Sequence, residues 1–347
     1  MTHAVSRRNV RLPALIFGVF GVVSLLHSGA ANASVATTSA DSGVELELRP
    51  LLHYSKGSIS FRVPRSGAIG SRDDIGIWQP NVAPAIGLAV SWGRWLSLSA
   101  SRQLETFEAR RAERGSSRVH HVEIHSEWRG IGLDAWHQNY RGFFQSRVPL
   151  GEPALFRDAL FSTSNASGFR PDMEMRVTGV AATMVPRRET FSIRDALLHQ
   201  EKPKESGWSF LANVRGEDLR IRSPEAIGTA DDIADWDARL HRLSGIRGLS
   251  AAALPGIAGV ALLGNSWYVS GAALWGLALQ RARFRDTDVN EVWRLGSAGQ
   301  LRGAVVRHFG RSLYGLNGHK GVSTWDAGGL QMTQTVSSVE LFAAWRY

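Results

Sequence analysis

A row of polar side chains in the segment HVEIHSEWR has residue types that could bind a metal. His121, Glu123 and His125 alternate with apolar residues, so they share one face of an extended chain. Two imidazoles and a carboxylate are ligands that zinc and related divalent metals accept in proteins. Neighbouring positions on one strand face lie rather far apart for chelating a single ion. We therefore expect no metal site, and keep these three residues as the alternative.

A second pair, His53 and Ser55, lies near the start of the patterned region and also shares one strand face. A histidine in this position could take the proton from an attacking serine and so support acyl transfer. The sequence identifies no acid or amide to orient the imidazole. We expect no catalytic residue, and keep His53 and Ser55 as the alternative.

Composition narrows the possible chemistry. The chain has no cysteine, which excludes disulfides, thiolate metal sites and a cysteine nucleophile. Its formal net charge is +9, but lysine is scarce and the arginines are scattered without a basic run. We expect anionic lipid head groups as partners, no nucleic acid and no cofactor.

The N-terminus has the organisation of an export signal. Basic residues precede an uncharged apolar run from Leu12 to Leu26, and Ala31-Asn32-Ala33 fits the small-x-small cleavage rule. The run is shorter than the roughly 20 residues that a membrane-spanning helix needs. These features predict a cleaved secretory signal peptide over residues 1–33 and a single domain over residues 34–347.

The rest of the chain alternates between apolar and small or polar residues in segments of about ten. In the final segment SSVELFAAWRY, Trp345 and Tyr347 fall on the same side as Val339 and Leu341. Spanning strands of this length, short turns and long loops predict an all-β fold, a transmembrane antiparallel β-barrel. We expect about twelve strands, with ten to fourteen possible, the polar face inward, and Trp345 and Tyr347 at the membrane interface.

Strand and loop positions follow from the same alternation. Among the predicted strands are 173–184, 191–198, 208–219, 251–263, 267–280, 301–308 and 311–318. Predicted long loops cover 64–79, 102–117, 142–170, 221–247, 281–300 and 319–329. Within one of them, TADDIADWDARLHRL has apolar residues at helical spacing, which predicts a short amphipathic helix.

Three places carry a resemblance to a known family: Pro80-Asn81 with the following hairpin, Tyr140-Arg141-Gly142-Phe143-Phe144, and the segment FSIRDALLHQEKPKESGWSF. They resemble a family of uncharacterised bacterial outer-membrane barrel proteins, a domain of unknown function. The resemblance implies a barrel in the outer membrane. It implies no activity and no catalytic residue.

Together these observations favour a non-enzymatic barrel in the outer membrane of a Gram-negative bacterium. We expect a monomer that contacts outer-membrane lipids and the barrel-assembly machinery, and that serves as a narrow, porin-like pore or as a structural and surface platform. The alternative is an outer-membrane lipid acyl hydrolase, because the His53-x-Ser55 pair resembles the one such enzymes use.

Overall fold

The computed structural model describes residues 46–346, apart from 63–73, 82, 94, 105–114, 129, 147–165, 187–190, 194–196, 200–201, 228–242, 265, 286–291 and 328–329. The signal peptide predicted over residues 1–33 and Tyr347 lie outside the described residues. Nearly all of the predicted amphipathic helix does as well. The described residues contain no helix with the length and apolar character that a membrane span requires.

The described residues form thirteen strands in one sheet. They are β1 (Leu46–Arg62), β2 (Asp74–Gln79), β3 (Ala85–Trp92), β4 (Leu96–Gln103), β5 (Arg118–Trp128), β6 (Ile131–Ser146), β7 (Ala166–Met184), β8 (Gly207–Arg222), β9 (Gly245–Leu262), β10 (Trp267–Arg285), β11 (Val292–Phe309), β12 (Ser312–Ala327) and β13 (Leu330–Arg346).

Twelve of these strands close a barrel. β3 to β13 pair in chain order, and β1 pairs with both β3 and β13, so the sheet has no free edge. The closing ladder is antiparallel and places His53 opposite Glu340. The predicted all-β barrel of about twelve strands is confirmed, and closure satisfies the backbone groups that an open edge would leave unpaired.

The short strand β2 makes the two ends of the barrel different. It pairs with β1 at Ile59–Arg62 and with β6 at Phe144–Ser146, above the point where β3, β4 and β5 end. There β2 takes the place of three strands, which leaves ten around that end. We call this the upper end, and the end where β1 begins and β13 finishes the lower end. β2 lies inside a predicted loop, 64–79, so that prediction was wrong over 74–79.

Hydrogen bonds fix the place where β2 joins the barrel. The Asn81 backbone N–H donates to Ser117 Oγ at 2.7 Å, and that hydroxyl donates to the Gly142 carbonyl at 2.7 Å. Gly142 has φ 84°, and the β6–β7 ladder shifts register beside it. A side chain there would bring Cβ within 2.7 Å of the Ser116 carbonyl oxygen, so the bulge requires glycine.

Apolar layers lie in the barrel interior near both ends, although the sequence predicted a polar inward face. The upper layer draws on nine of the ten strands at that end. Its largest side chains are fully buried: Phe61, Trp78, Tyr140, Phe143, Met173, Met175 and Trp325. In the lower half, a second cluster packs β9 and β10 against Phe342 and against the connection between β7 and β8. Apolar side chains therefore pack inside the lumen near both ends, as is common in small barrels.

The β7–β8 connection contains what we call the luminal segment, residues 191–193 and 197–199. The sequence predicted a strand over 191–198, and this was wrong. Phe191 and Ile193 are 4% and 5% exposed and pack with Leu211 in the lower cluster. Its first residues, Phe191-Ser192-Ile193, alternate between apolar and polar as in a strand, but the segment packs inside the lower half of the barrel instead of joining the wall.

Several strands run further than the sequence indicated. β12 continues to Ala327, through most of the predicted loop 319–329. β10 extends to Arg285 and β11 begins at Val292, so strands cover most of the predicted loop 281–300. The predicted loop 142–170 is likewise shortened by β6 and β7.

The outer surface is apolar, with aromatic residues concentrated at the lower end. Large exposed side chains there lie at strand ends or in turns: Trp92, Trp95, Trp208, Trp267, Phe309, Tyr314 and Trp345. Above this girdle, aliphatic side chains such as Ile86, Leu88, Ile257 and Leu277 are about half exposed. An aromatic girdle beside an outward apolar band is the surface of a barrel that spans a membrane.

Candidate functional site: a polar chamber inside the barrel

Between the two apolar layers lies a polar chamber of about 160 Å³. Its titratable and charged lining residues come from seven strands: His53, His121, Glu123, His125, Asp134, Arg215, Glu217, Arg302, His319 and Glu340. They occupy inward positions, because alternate side chains of every barrel strand point to the lumen.

The three residues considered for metal binding all line this chamber. His121 Nε2 lies 3.7 Å from Glu123 Oε2, whereas His125 turns away to Asp134. The His125 Nδ1–Asp134 Oδ1 distance is 2.6 Å, so Nδ1 donates a hydrogen bond to the carboxylate. Within the described part of the chain, no group of three or more histidine or acidic side chains is arranged to hold a metal ion. Metal binding by these three residues stays a prediction without support from their geometry.

His53 and Ser55 also face the chamber side and are buried, but they do not contact each other as a catalytic pair would. Ser55 Oγ lies 3.2 Å from Tyr140 Oη. The His53 ring packs against His121 instead, with the ring centroids 5.7 Å apart. Glu340, which the sequence analysis did not consider, lies opposite His53 in the β1–β13 ladder. Without a bond between imidazole and hydroxyl, Ser55 lacks the base that would activate it.

The remaining chamber charges were not predicted from the sequence. Arg215 forms an ion pair with Glu217, and its guanidinium lies 5.8 Å from the Trp136 ring centroid. The Gln300 amide oxygen accepts from Arg302 Nε at 2.6 Å and from His319 Nε2 at 3.1 Å. These residues could have been found in the sequence as charged residues at inward positions of spanning strands, because a charge there needs a partner.

Four carboxylates and two guanidiniums line the chamber. The excess of acidic groups favours protons or cations over anions there. The ion pairs and hydrogen bonds of these residues lie within one strand or join adjacent strands. Stabilising the barrel wall is therefore the role that the geometry supports for the chamber.

An arginine on β1 fastens the luminal segment below the chamber. Arg49 Nη1 donates to the Leu198 carbonyl at 3.1 Å, and Nη2 donates to the His199 carbonyl at 3.3 Å. The same guanidinium pairs with Glu47 at 2.7 Å and lies 4.7 Å from the centroid of the Phe342 ring. A charge that is almost fully buried is stable here because all these partners surround it.

His199 completes this contact. Its ring stacks on Phe342 with centroids 5.6 Å apart, and Nδ1 lies 3.0 Å from Tyr268 Oη. Burial, reinforced by the nearby Arg49 charge and by His308, lowers the pKa of His199 to about 3. The imidazole is therefore neutral at physiological pH, and protonating it would place a second positive charge beside Arg49.

Comparison with protein families identifies the chain. The model for the domain of unknown function DUF4421 matches residues 59–347, from within β1 to the end. The chain belongs to this family. The resemblance noted at Pro80-Asn81 and at the Tyr140–Phe144 motif is thereby confirmed. In this DUF4421 domain the two motifs meet at the junction of β2 with the barrel, through the hydrogen bonds of Asn81 and Ser117.

Solved structures similar to this DUF4421 domain are barrels of diverse kinds. The Escherichia coli outer-membrane protease OmpT is 9% identical, with 90% of this chain and 100% of that chain covered and a TM-score of 0.37. The translocator domain of the autotransporter NalP from Neisseria meningitidis is 10% identical, with 96% of each chain covered and a TM-score of 0.40. The P. putida toluene transporter TodX is 9% identical, with 88% and 90% covered and a TM-score of 0.24. No curated protein matches the sequence. These similarities are too low to carry an activity over to this chain.

Proposed function

We propose that this protein is a closed, non-conducting outer-membrane barrel that serves as a structural platform at the cell surface. The observation that carries the proposal is the upper apolar layer, in which Trp78, Tyr140 and Trp325 are fully buried across the ten-strand end. Of the two non-enzymatic roles that the sequence favours, this layer supports the platform over the narrow pore.

The upper layer blocks solutes for an energetic reason. An ion that left the polar chamber upward would have to lose its water among side chains such as Met173, Met175 and Phe143, which offer it no charged partner. Moving an unpaired ion into such surroundings costs many times the thermal energy. The luminal segment fills part of the lower half in the same way, so the chamber is separated from both sides of the membrane.

The outer surface supports the proposed location. The aromatic girdle lies at the end with the tight turns around Gly93, Gly130 and Gly310, and outer-membrane barrels keep short turns on the periplasmic side. We therefore place the lower end in the periplasm. The predicted signal peptide over residues 1–33 supports export. The same proposal includes delivery to the barrel-assembly machinery and a monomeric state.

The acyl hydrolase alternative gains nothing from the geometry. Ser55 is 6% exposed and lies on the inner side of the wall, whereas lipid acyl chains contact the outer side. Its hydroxyl neighbour is Tyr140 rather than His53. The geometry therefore favours a barrel without enzymatic activity.

Conductance measurements in planar lipid bilayers distinguish a closed structural platform from a narrow pore. Protein shown to be folded would be added on one side, and current recorded over a range of voltages. We expect no steady conductance from the wild type. We expect none either when residues 191–199 are replaced by a flexible Gly-Ser linker, because the upper layer remains intact. A steady, ohmic current from the wild type would contradict the proposal and support a narrow pore.

A further inference from the structure

Four arginines form a continuous row across the outer wall near the upper end. In the strand ladders Arg176 of β7 lies opposite Arg220 of β8, Arg220 opposite Arg247 of β9, and Arg247 opposite Arg283 of β10. We call these four residues the arginine row. Neighbouring strands are about 4.8 Å apart, so the row extends over roughly 14 Å of the surface.

The arginine row faces outward, and described carboxylates pair with only two of its four members. Glu174 pairs with Arg176 at 2.8 Å, and Asp218 pairs with Arg220 at 2.6 Å. Arg247 and Arg283 are exposed and have no ion pair within the described part of the chain. Three further exposed arginines flank the row: Arg222, Arg281 and Arg285. Among the described residues, the row itself has two more guanidiniums than the carboxylates that pair with it.

The row begins where the apolar outer band ends. On β10 the outward side chains from Trp267 to Leu279 are apolar or small, and Arg281 follows directly. Twelve residue steps cover about 40 Å along a strand, or about 30 Å along the membrane normal at a tilt of about 40°. That height matches a hydrocarbon core of about 30 Å. The arginines accordingly lie at the level of the lipid head groups on the upper side.

Like charges directly opposite each other on neighbouring strands destabilise a sheet. Arg247 and Arg283 are such a pair, and an anion between them would turn the repulsion into attraction. A guanidinium group can donate two parallel hydrogen bonds to one phosphate group. Arginine therefore suits phosphate better than it suits an anion that acts as a point charge. We propose that the arginine row binds phosphate groups on the head groups of membrane lipids in the upper leaflet.

The position of the row favours a lipid over a soluble phosphate compound. The guanidiniums project sideways from the wall, directly above the apolar band, rather than into a cavity. A lipid can place its acyl chains against Leu277 and Leu279 while its phosphate reaches Arg281 and Arg283, so both parts of one molecule find matching surface. Under the orientation proposed above, this leaflet is the outer one.

Native mass spectrometry of the folded protein tests the lipid site. The protein would be titrated with phosphatidic acid, which carries a phosphomonoester, and with phosphatidylcholine. The test variant is R247Q/R283Q, which removes the two unpaired members of the row. The matched control is R307Q/R311Q, which removes the same charge from exposed positions at the lower end. Heat-dependent gel migration would confirm that both variants fold.

We expect the wild type and R307Q/R311Q to bind phosphatidic acid equally well and in preference to phosphatidylcholine. We expect R247Q/R283Q to bind phosphatidic acid about tenfold more weakly, since each charge-assisted bond to phosphate contributes substantially. Equal binding by all three proteins, or no preference of the wild type for phosphatidic acid, would overturn the proposal. So would displacement of the lipid by an equal concentration of inorganic phosphate, which would show a site for soluble anions.

Discussion

Arg49 on β1 donates a hydrogen bond to the carbonyl of Leu198, which lies 149 positions further along the chain. This bond holds the luminal segment inside the lower half of the barrel. The guanidinium also keeps the buried Glu47 carboxylate paired. A single side chain therefore connects the wall, the segment and a buried acid.

Replacing Arg49 with Met should destabilise the barrel by about 2–4 kcal/mol, because Glu47 would lose its charge partner in a buried site. Urea unfolding in lipid vesicles measures the change. We also expect faster proteolysis between β7 and β8. R307M is the control, since Arg307 is exposed beside the Trp267 ring, and its effect should stay below about 1 kcal/mol. Equal effects of the two variants would contradict the role of Arg49.

The buried His199 makes stability depend on pH. Its pKa is about 3 in the folded protein, against an ordinary value of 6.5 in the unfolded chain. Between these values the unfolded chain binds more protons, so the contribution is complete above about pH 6.5 and is lost as pH falls towards 3. The loss amounts to at most about 1.4 kcal/mol per pH unit.

Comparing the wild type with H199Q isolates this contribution. The difference in unfolding free energy between the two proteins should change between pH 6.5 and 4, because glutamine does not titrate. A difference that stays flat over this range would show that His199 is not held neutral.

The requirement for glycine at position 142 can be tested by adding a single methyl group. G142A should destabilise the protein by about 1–3 kcal/mol, because φ is 84° and the added Cβ would meet the Ser116 carbonyl. G303A is the control, since its Cβ would lie 3.8 Å from the Ser270 carbonyl oxygen, which is an ordinary contact distance. The two variants would be compared by their midpoints of urea unfolding, provided that the unfolding curves have equal slopes. Matching midpoints for G142A and the wild type would remove the reason for glycine at the β2 junction.

Ser55→Ala distinguishes a structural serine from a nucleophile. We expect no acyl release from phospholipid or lipid A substrates by either the wild type or S55A. The variant should lose about 1 kcal/mol of stability with its hydrogen bond to Tyr140. Y140F, which removes the other partner of that bond, should behave similarly. Acyl release that is present in the wild type and absent in S55A would revive the hydrolase hypothesis.

Alternation predicted the outward wall well, because lipid demands apolar residues on every spanning strand. Leu88 and Trp275 are exposed to the outside and His121 lines the lumen, as their positions indicated. The same alternation led to a wrong prediction of a wall strand at Phe191 and Ile193. A segment packed inside a barrel also alternates when only one of its faces is buried, so period two alone cannot separate a wall strand from an internal segment.

The site was harder to predict than the wall. A pattern of two faces does not say how deep in the barrel an inward residue lies. The apolar layer of Trp78 and Trp325 and the polar chamber of His53 and His319 could therefore not be told apart. The position of Glu340 opposite His53 depends on the register between the first and last strands, which no local pattern contains.

Heat-dependent migration on a denaturing gel tests most directly that the chain forms a closed membrane barrel. Outer-membrane fractions would be run unheated and boiled, with the soluble periplasmic fraction beside them. We expect the protein in the membrane fraction, with a faster band in the unheated sample, because a closed twelve-stranded sheet resists the detergent until it is heated. An unchanged band, with the protein in the soluble fraction, would contradict the membrane barrel.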